Sequence, residues 1–137
     1  MMRFLSRLSL AARGLLLAAA TAGCAVAAEP PITLVVPYPP GGATDLMART
    51  LAQQMGTQMH RTIIVENRAG GGTLIGAQLV SRAAPNGATL LMATSTTLAI
   101  NRSLYKSLPY DPERFAPVGM VAEVPLVLVV SPALKVK

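Results

Sequence analysis

Most of the residues that could do chemistry fall in three short segments: "PPGGATD" (residues 39–45), "NRAGGGT" (67–73) and "TSTT" (94–97). They supply glycine, serine and threonine and very little charge. That set suits the capture of a small anion. Main-chain N–H groups at a helix start, backed by the positive end of the helix dipole, attract a carboxylate or a phosphate without any cationic side chain. Glycine removes the Cβ that would hold a ligand off the backbone, and hydroxyls add donors that rotate to suit it. For any one segment the plainer reading is a tight turn, or a helix packed closely on a sheet. Three such segments at one edge favour a site.

Catalysis is poorly served by the same residues. Gly70, Gly72 and Gly76 follow an apolar run, as in a dinucleotide fold, but their spacing is one residue longer than the common fingerprint. The next strand, ending "LLMATSTT", brings no acidic residue for a ribose hydroxyl. Neither glycine loop is followed by the Lys-Ser/Thr pair of a phosphate-binding P-loop. His60 is the single histidine and Cys24 the single cysteine, so no metal-ligating cluster is visible. Asp45 sits where a helix should begin, and that position favours a capping carboxylate over a general base. His60, at the end of the same helix, reads as a solvated or capping residue. No G-x-S-x-G elbow occurs.

The elements that would position the three segments alternate. "ITLVVPY" (32–38) is a nearly continuous apolar run, as in a strand buried on both faces. A helix is expected over Thr44–Met59, with Met47, Leu51, Met55 and Met59 on one core-facing stripe and Thr44 or Asp45 at its cap. "TIIVENR" (62–68) is a second strand, and a second helix follows the glycines, with Leu74, Ile75, Leu79 and Val80 apolar. "PNG" (85–87) ends it. "ATLLMAT" (88–94) is a third strand, "STTLAINRSLY" a short helix, "PYDPERFAPV" a proline-rich connection, and "VPLVLVVS" (124–131) a fourth strand. The order β-α-β-α-β predicts an α/β fold: a mostly parallel sheet flanked by helices, with right-handed crossovers. In such a sheet every loop leaving a strand's C-terminal end lies on one rim, where ligands gather. The three segments are those loops.

The totals narrow the classes. The chain has 137 residues, 52% of them hydrophobic and 13% charged, enough for one domain at most. Its formal charge of +6 falls to +3 once Arg3, Arg7 and Arg13 are set aside, leaving 9 basic against 6 acidic residues. The remaining cations are scattered and there is no Trp, so a nucleic-acid partner is not indicated. Arg3, Arg7 and Arg13 precede "LLLAAATAGCAVAA", a short apolar run rich in small residues. That three-part pattern is a secretory signal ending at Ala28 or one residue earlier, not a membrane span. "TAGC" is a partial lipobox, but Thr21 stands where such boxes carry Leu, so lipid anchoring at Cys24 is the second reading. Either way the mature body has no internal disulfide and relies on packing.

The stretches "ITLVVPYPPGGATDLMAR", "VENRAGGGTLIGAQLVSRAAPNGATLLMATS" and "NRSLYKSLPYDPERFAPVGMVAEVPLVLVVSPALKVK" resemble, in order and spacing, the periplasmic solute-binding receptors of the tripartite tricarboxylate transporter system, often called Bug receptors. The resemblance covers the chain from Pro31 onward. It implies the first lobe of a type II periplasmic-binding-protein-like fold, a two-lobed protein that closes on a small organic acid without catalysis or cofactor. It also implies membrane permease subunits as partners and a periplasmic location. Carried onto this sequence, Tyr38, Pro40, Gly41, Gly42, Ala43, Thr44 and Asp45 form a first jaw. Ser95, Thr96, Thr97, Ala99 and Asn101 approach from the third loop, which lacks the His often seen there in the family. On the same resemblance, residues 1–28 are the signal, 29–123 the first lobe, and 124–137 a hinge-crossing strand toward a second lobe that this sequence does not contain. A fragment or a truncated gene product, with a poorly anchored last strand and weak ligand binding, is then expected. A small exported α/β enzyme with an anion-binding glycine loop, or a nonfunctional remnant of a receptor, are the alternatives.

Overall fold

The structure is a computed structural model and describes residues 29–125, 127–131 and 133–134. Its centre is a parallel three-stranded sheet in the order β2-β1-β3, built from β1 (Ile32–Val36), β2 (Ile63–Asn67) and β3 (Thr89–Leu91). The most apolar run takes the middle. Ile32 pairs with Ile63 and Val36 with Asn67 on one side, and Thr33 pairs with Thr89 and Val35 with Leu91 on the other. Val35 and Val36 are wholly buried although they point to opposite faces, as a central strand covered on both sides requires.

Each face has its own helix. Helix α1 (Ala43–Met59) packs on the face of Leu34 and Val36 through Ala48 and Ala52. The methionine stripe is displaced from its expected place. The side of α1 nearest the sheet carries Asp45, Ala48 and Ala52, spaced i, i+3, i+7, while Met47 and Leu51 pack along the core margin and Met59 is exposed. Small alanines let the helix lie close to the strands, and the long flexible methionines fill the gaps beside it. At its end His60 adopts the left-handed conformation of a C-cap (φ 51°), its N–H bonded to the Gly56 carbonyl. Helix α2 (Leu74–Ser81) covers the other face, with Gly76 set against Pro37 and the Arg68 carbonyl.

A wide turn over Thr96–Ile100 leads into the one-turn helix α3 (Asn101–Leu104). The proline-rich connection then folds back on that turn, burying Tyr110, whose hydroxyl donates to the Thr97 carbonyl and whose ring lies 5.9 Å from that of Phe115. A fourth strand does not form among the described residues of 124–131. Val127, Leu128 and Val129 are about four-fifths or more exposed. An apolar run becomes a strand only where another strand offers its free N–H and C=O groups, and this run lies beside none.

Candidate functional site

The chain leaves β1 at Pro37, β2 at Arg68 and β3 at Met92, all on one rim. Backbone ladders continue to that rim through Arg68 N–H to Val36 O (2.8 Å) and Met92 N–H to Val35 O (2.8 Å). Side chains then tie the three loops together. The Tyr38 hydroxyl meets the Thr94 hydroxyl at 2.8 Å. Thr97 Oγ1 donates to Thr73 Oγ1 at 3.0 Å, and Asn101 Nδ2 donates to the Gly72 carbonyl at 2.9 Å. Asn67, the last residue of β2, donates to the Tyr38 carbonyl at 3.2 Å.

The first loop ends in an uncapped helix. Gly42 is the N-cap of α1, and no side chain bonds to the amides of the first turn. A helix start leaves about four N–H groups without an internal partner, so here they are left to solvent or to a ligand. Gly42 has φ −79° and ψ 171°, values open to any residue, and a Cβ built on it would come no nearer than 4.0 Å to another atom. Nothing in the fold demands glycine at this place, and Ser, Asp or Asn would cap the helix better. Pro40, Gly41 and Ala43 are exposed beside it, and Tyr38 and Thr44 half-buried. Gly41, by contrast, takes a left-handed φ of 87° that its turn requires.

Asp45 has a different role. Its carboxylate is 3% exposed and fully engaged: Oδ2 accepts from Gly41 N–H and Arg49 Nε, both at 2.9 Å, and Oδ1 accepts from Asn67 Nδ2 at 2.9 Å. Those donors, Arg49 first, then the Gly41 amide and Asn67, hold its pKa down at about 2 against an ordinary 3.8. The carboxylate therefore remains ionised and pins the glycine turn to the helix.

The third loop divides in the same way. Ser95 and Ala99 are exposed and Thr96 half-buried, whereas Thr97 and Asn101 are fully buried within the loop-to-loop bonds. Thr73, Asn67, Thr94 and Tyr110 complete that network and were not singled out by sequence reasoning. Tyr110 donates to the Thr97 carbonyl at 2.6 Å and accepts from Asn101 Nδ2 at 3.2 Å. The position of Asn67 at the end of a strand, directly on the rim, was the one available signal. Two surface grooves, of about 310 and 410 Å³, lie along the flanks of α1, lined by residues such as Gln53 and Ile63, and Met47 and Val121. Among the described residues no group of His, Cys, Asp or Glu could hold a metal ion, and no helix is long and apolar enough to cross a membrane.

Residues 47–137 match the tripartite tricarboxylate transporter family receptor. The chain belongs to that family. BugT of Bordetella pertussis is 43% identical over 132 residues, covering 92% of this chain and 40% of BugT. A solved periplasmic transporter is 44% identical, with a TM-score of 0.58 over 60% of this chain and 28% of that one. MatC from Rhodopseudomonas palustris, solved with bound malate, is 35% identical, with a TM-score of 0.57 over 60% of this chain and 28% of MatC. The chain thus spans less than half the length of the relatives it matches. The receptor resemblance carried by its glycine loops and the parallel sheet expected from its β-α alternation both hold. The family is one of solute-binding receptors, not of enzymes.

Proposed function

We propose that this chain forms the first lobe of a periplasmic receptor that captures small organic acids for tripartite tricarboxylate uptake. The observation that carries this reading is Gly42: an exposed N-cap glycine that neither its dihedrals nor its neighbours require, at the start of an uncapped helix. A carboxylate placed there would take the amides of Gly42, Ala43 and Thr44 as charge-assisted donors. The exposed Ser95 and the half-buried Thr96 stand on the neighbouring loop to bind a second polar group of the acid. Asp45 and Asn67 fix the first jaw from beneath, and Thr97 and Asn101 fix the third loop. MatC, which matches 60% of this chain at 35% identity and was solved with bound malate, supports the same ligand class.

In this reading the receptor binds without turning over its ligand, uses no cofactor, and delivers the acid to membrane permease subunits. Residues 1–28 export the chain to the periplasm. Residues 29–123 are the lobe, and 124–137 lead across a hinge to a second lobe. The exposed valines of that last stretch, which the lobe leaves without partners, agree with such a role. Ligand-observed NMR with malate and with its uncharged diamide tests the proposal. Malate signals should broaden with the chain present and the diamide's should not. Equal response to both, or none to malate at millimolar concentration, would overturn it.

A further inference from the structure

The glycine loop has an unusual backbone. Gly71, Gly72 and Thr73 are left-handed in succession, with φ of 55°, 59° and 80°. Glycine takes this conformation freely, but a β-branched threonine does not. Thr73 is also 2% exposed, so water does not hold it there. Its hydroxyl accepts from Thr97 Oγ1 at 3.0 Å and from Asn101 Nδ2 at 3.2 Å. Asn101 Nδ2 also grips the Gly72 carbonyl at 2.9 Å, and Tyr105 Oη donates to the Gly71 carbonyl at 3.2 Å. Every one of these clamps comes from the third loop and the turn after it.

Asn101 is the hub. It is completely buried, its Nδ2 faces three oxygens, and its Oδ1 has no protein partner among the described residues. The Gly72 carbonyl can only accept, so the amide nitrogen must face it, and the oxygen is left bare as a consequence. A buried orphan acceptor is unfavourable, and an apolar residue would avoid it. The amide is therefore kept for what its nitrogen holds.

We propose that Asn101 is a positioning residue: it holds Gly71–Thr73 in the left-handed form and so couples the glycine loop to the third loop, without touching the ligand itself. This deepens the receptor reading and rests on the rim being the ligand site, because the coupling makes two of the three loops move as one body when an acid binds. Full burial of Asn101 behind the loop it clamps excludes direct contact with a solute arriving from solvent.

Amide exchange without ligand tests the coupling. The Leu74 N–H bonds to the Gly71 carbonyl and closes the left-handed turn, so it reports on the loop. In Asn101→Ala, Leu74 exchange should quicken roughly five- to tenfold, the weight of one ordinary hydrogen bond, while the amides of Leu34 and Val35 keep their rates. Adding Thr73→Asn, nearly the same size and far more tolerant of positive φ, should restore slow exchange. Tyr105→Phe, at an exposed side chain, should quicken Leu74 alone and serves if Asn101→Ala does not fold. Unchanged Leu74 exchange, acceleration shared by β1, or failure of Thr73→Asn to restore it would overturn the proposal. The readout needs no solute, so a negative malate titration would refute the receptor reading and leave the coupling result standing.

Discussion

Gly76 joins the fold to the site, and substituting it gives a prediction that can be worked through. A Cβ there would stand 2.9 Å from Pro37 Cβ, 3.0 Å from the Arg68 carbonyl and 3.1 Å from Pro37 Cα. Two of these are backbone atoms, and Pro37 is fully buried, so none can swing aside. Overfilling a packed position costs about 1–3 kcal/mol. Alanine in place of glycine inside a helix recovers about 0.8–1 kcal/mol of that. With three unyielding contacts the upper part of the range applies, leaving Gly76→Ala destabilised by about 1–2 kcal/mol. For a lobe of this size the midpoint of thermal unfolding should fall by roughly 4–16 °C. Circular dichroism melts of the variant and of the parent chain measure it. Pro37 roots the first jaw and Arg68 the glycine loop, so the displaced helix should also perturb both loops. A midpoint equal to or above that of the parent would show that helix propensity dominates and that α2 does not press on the rim as described.

Asp45 fixes the acid side of the stability curve. Its folded pKa lies below the ordinary 3.8, so its contribution is complete above that value and is lost as pH falls through about 2; Asp45→Asn should flatten this part of a pH-dependent denaturation series. Gly42→Ser should leave the fold intact and raise stability by a few tenths of a kcal/mol, because serine caps the helix, yet weaken the response to malate, because its hydroxyl competes for a first-turn amide, that of Thr44 or Asp45. NMR titration paired with urea unfolding separates the two effects. The Arg102–Glu113 pair, with both side chains more than half exposed, should matter little: Arg102→Ala should leave the urea unfolding midpoint within error of the parent chain's.

The sheet was legible because its evidence is local. A β-branched run, a glycine turn and an amphipathic helix recur in sequence, and only a parallel sheet accommodates that order. The core-facing side of α1 was misread by one position. Methionine advertises hydrophobicity more loudly than alanine, but close approach of helix to strand selects Ala48 and Ala52. "VPLVLVVS" has the composition of a strand, and composition does not supply a neighbour to pair with. At the rim, the exposed loop from Pro40 to Ala43 stood out by its residue types. The roles of Asp45, Thr97 and Asn101 could not. Their partners lie 22, 24 and 29 residues away, at Asn67, Thr73 and Gly72, and only the folded chain brings them together. Thr73 stood out in sequence only as one hydroxyl of a glycine loop, because its importance lies in a backbone angle.

Residue-resolved ¹H–¹⁵N NMR of the chain during titration with malate tests the central claim most directly. The account predicts the largest shifts at the amides of Gly42, Ala43 and Thr44, with smaller ones at Ser95 and Thr96. Shifts concentrated along the flanks of α1 around Gln53 and Ile63, or at the opposite rim near Ile32 and Ala88, would contradict it.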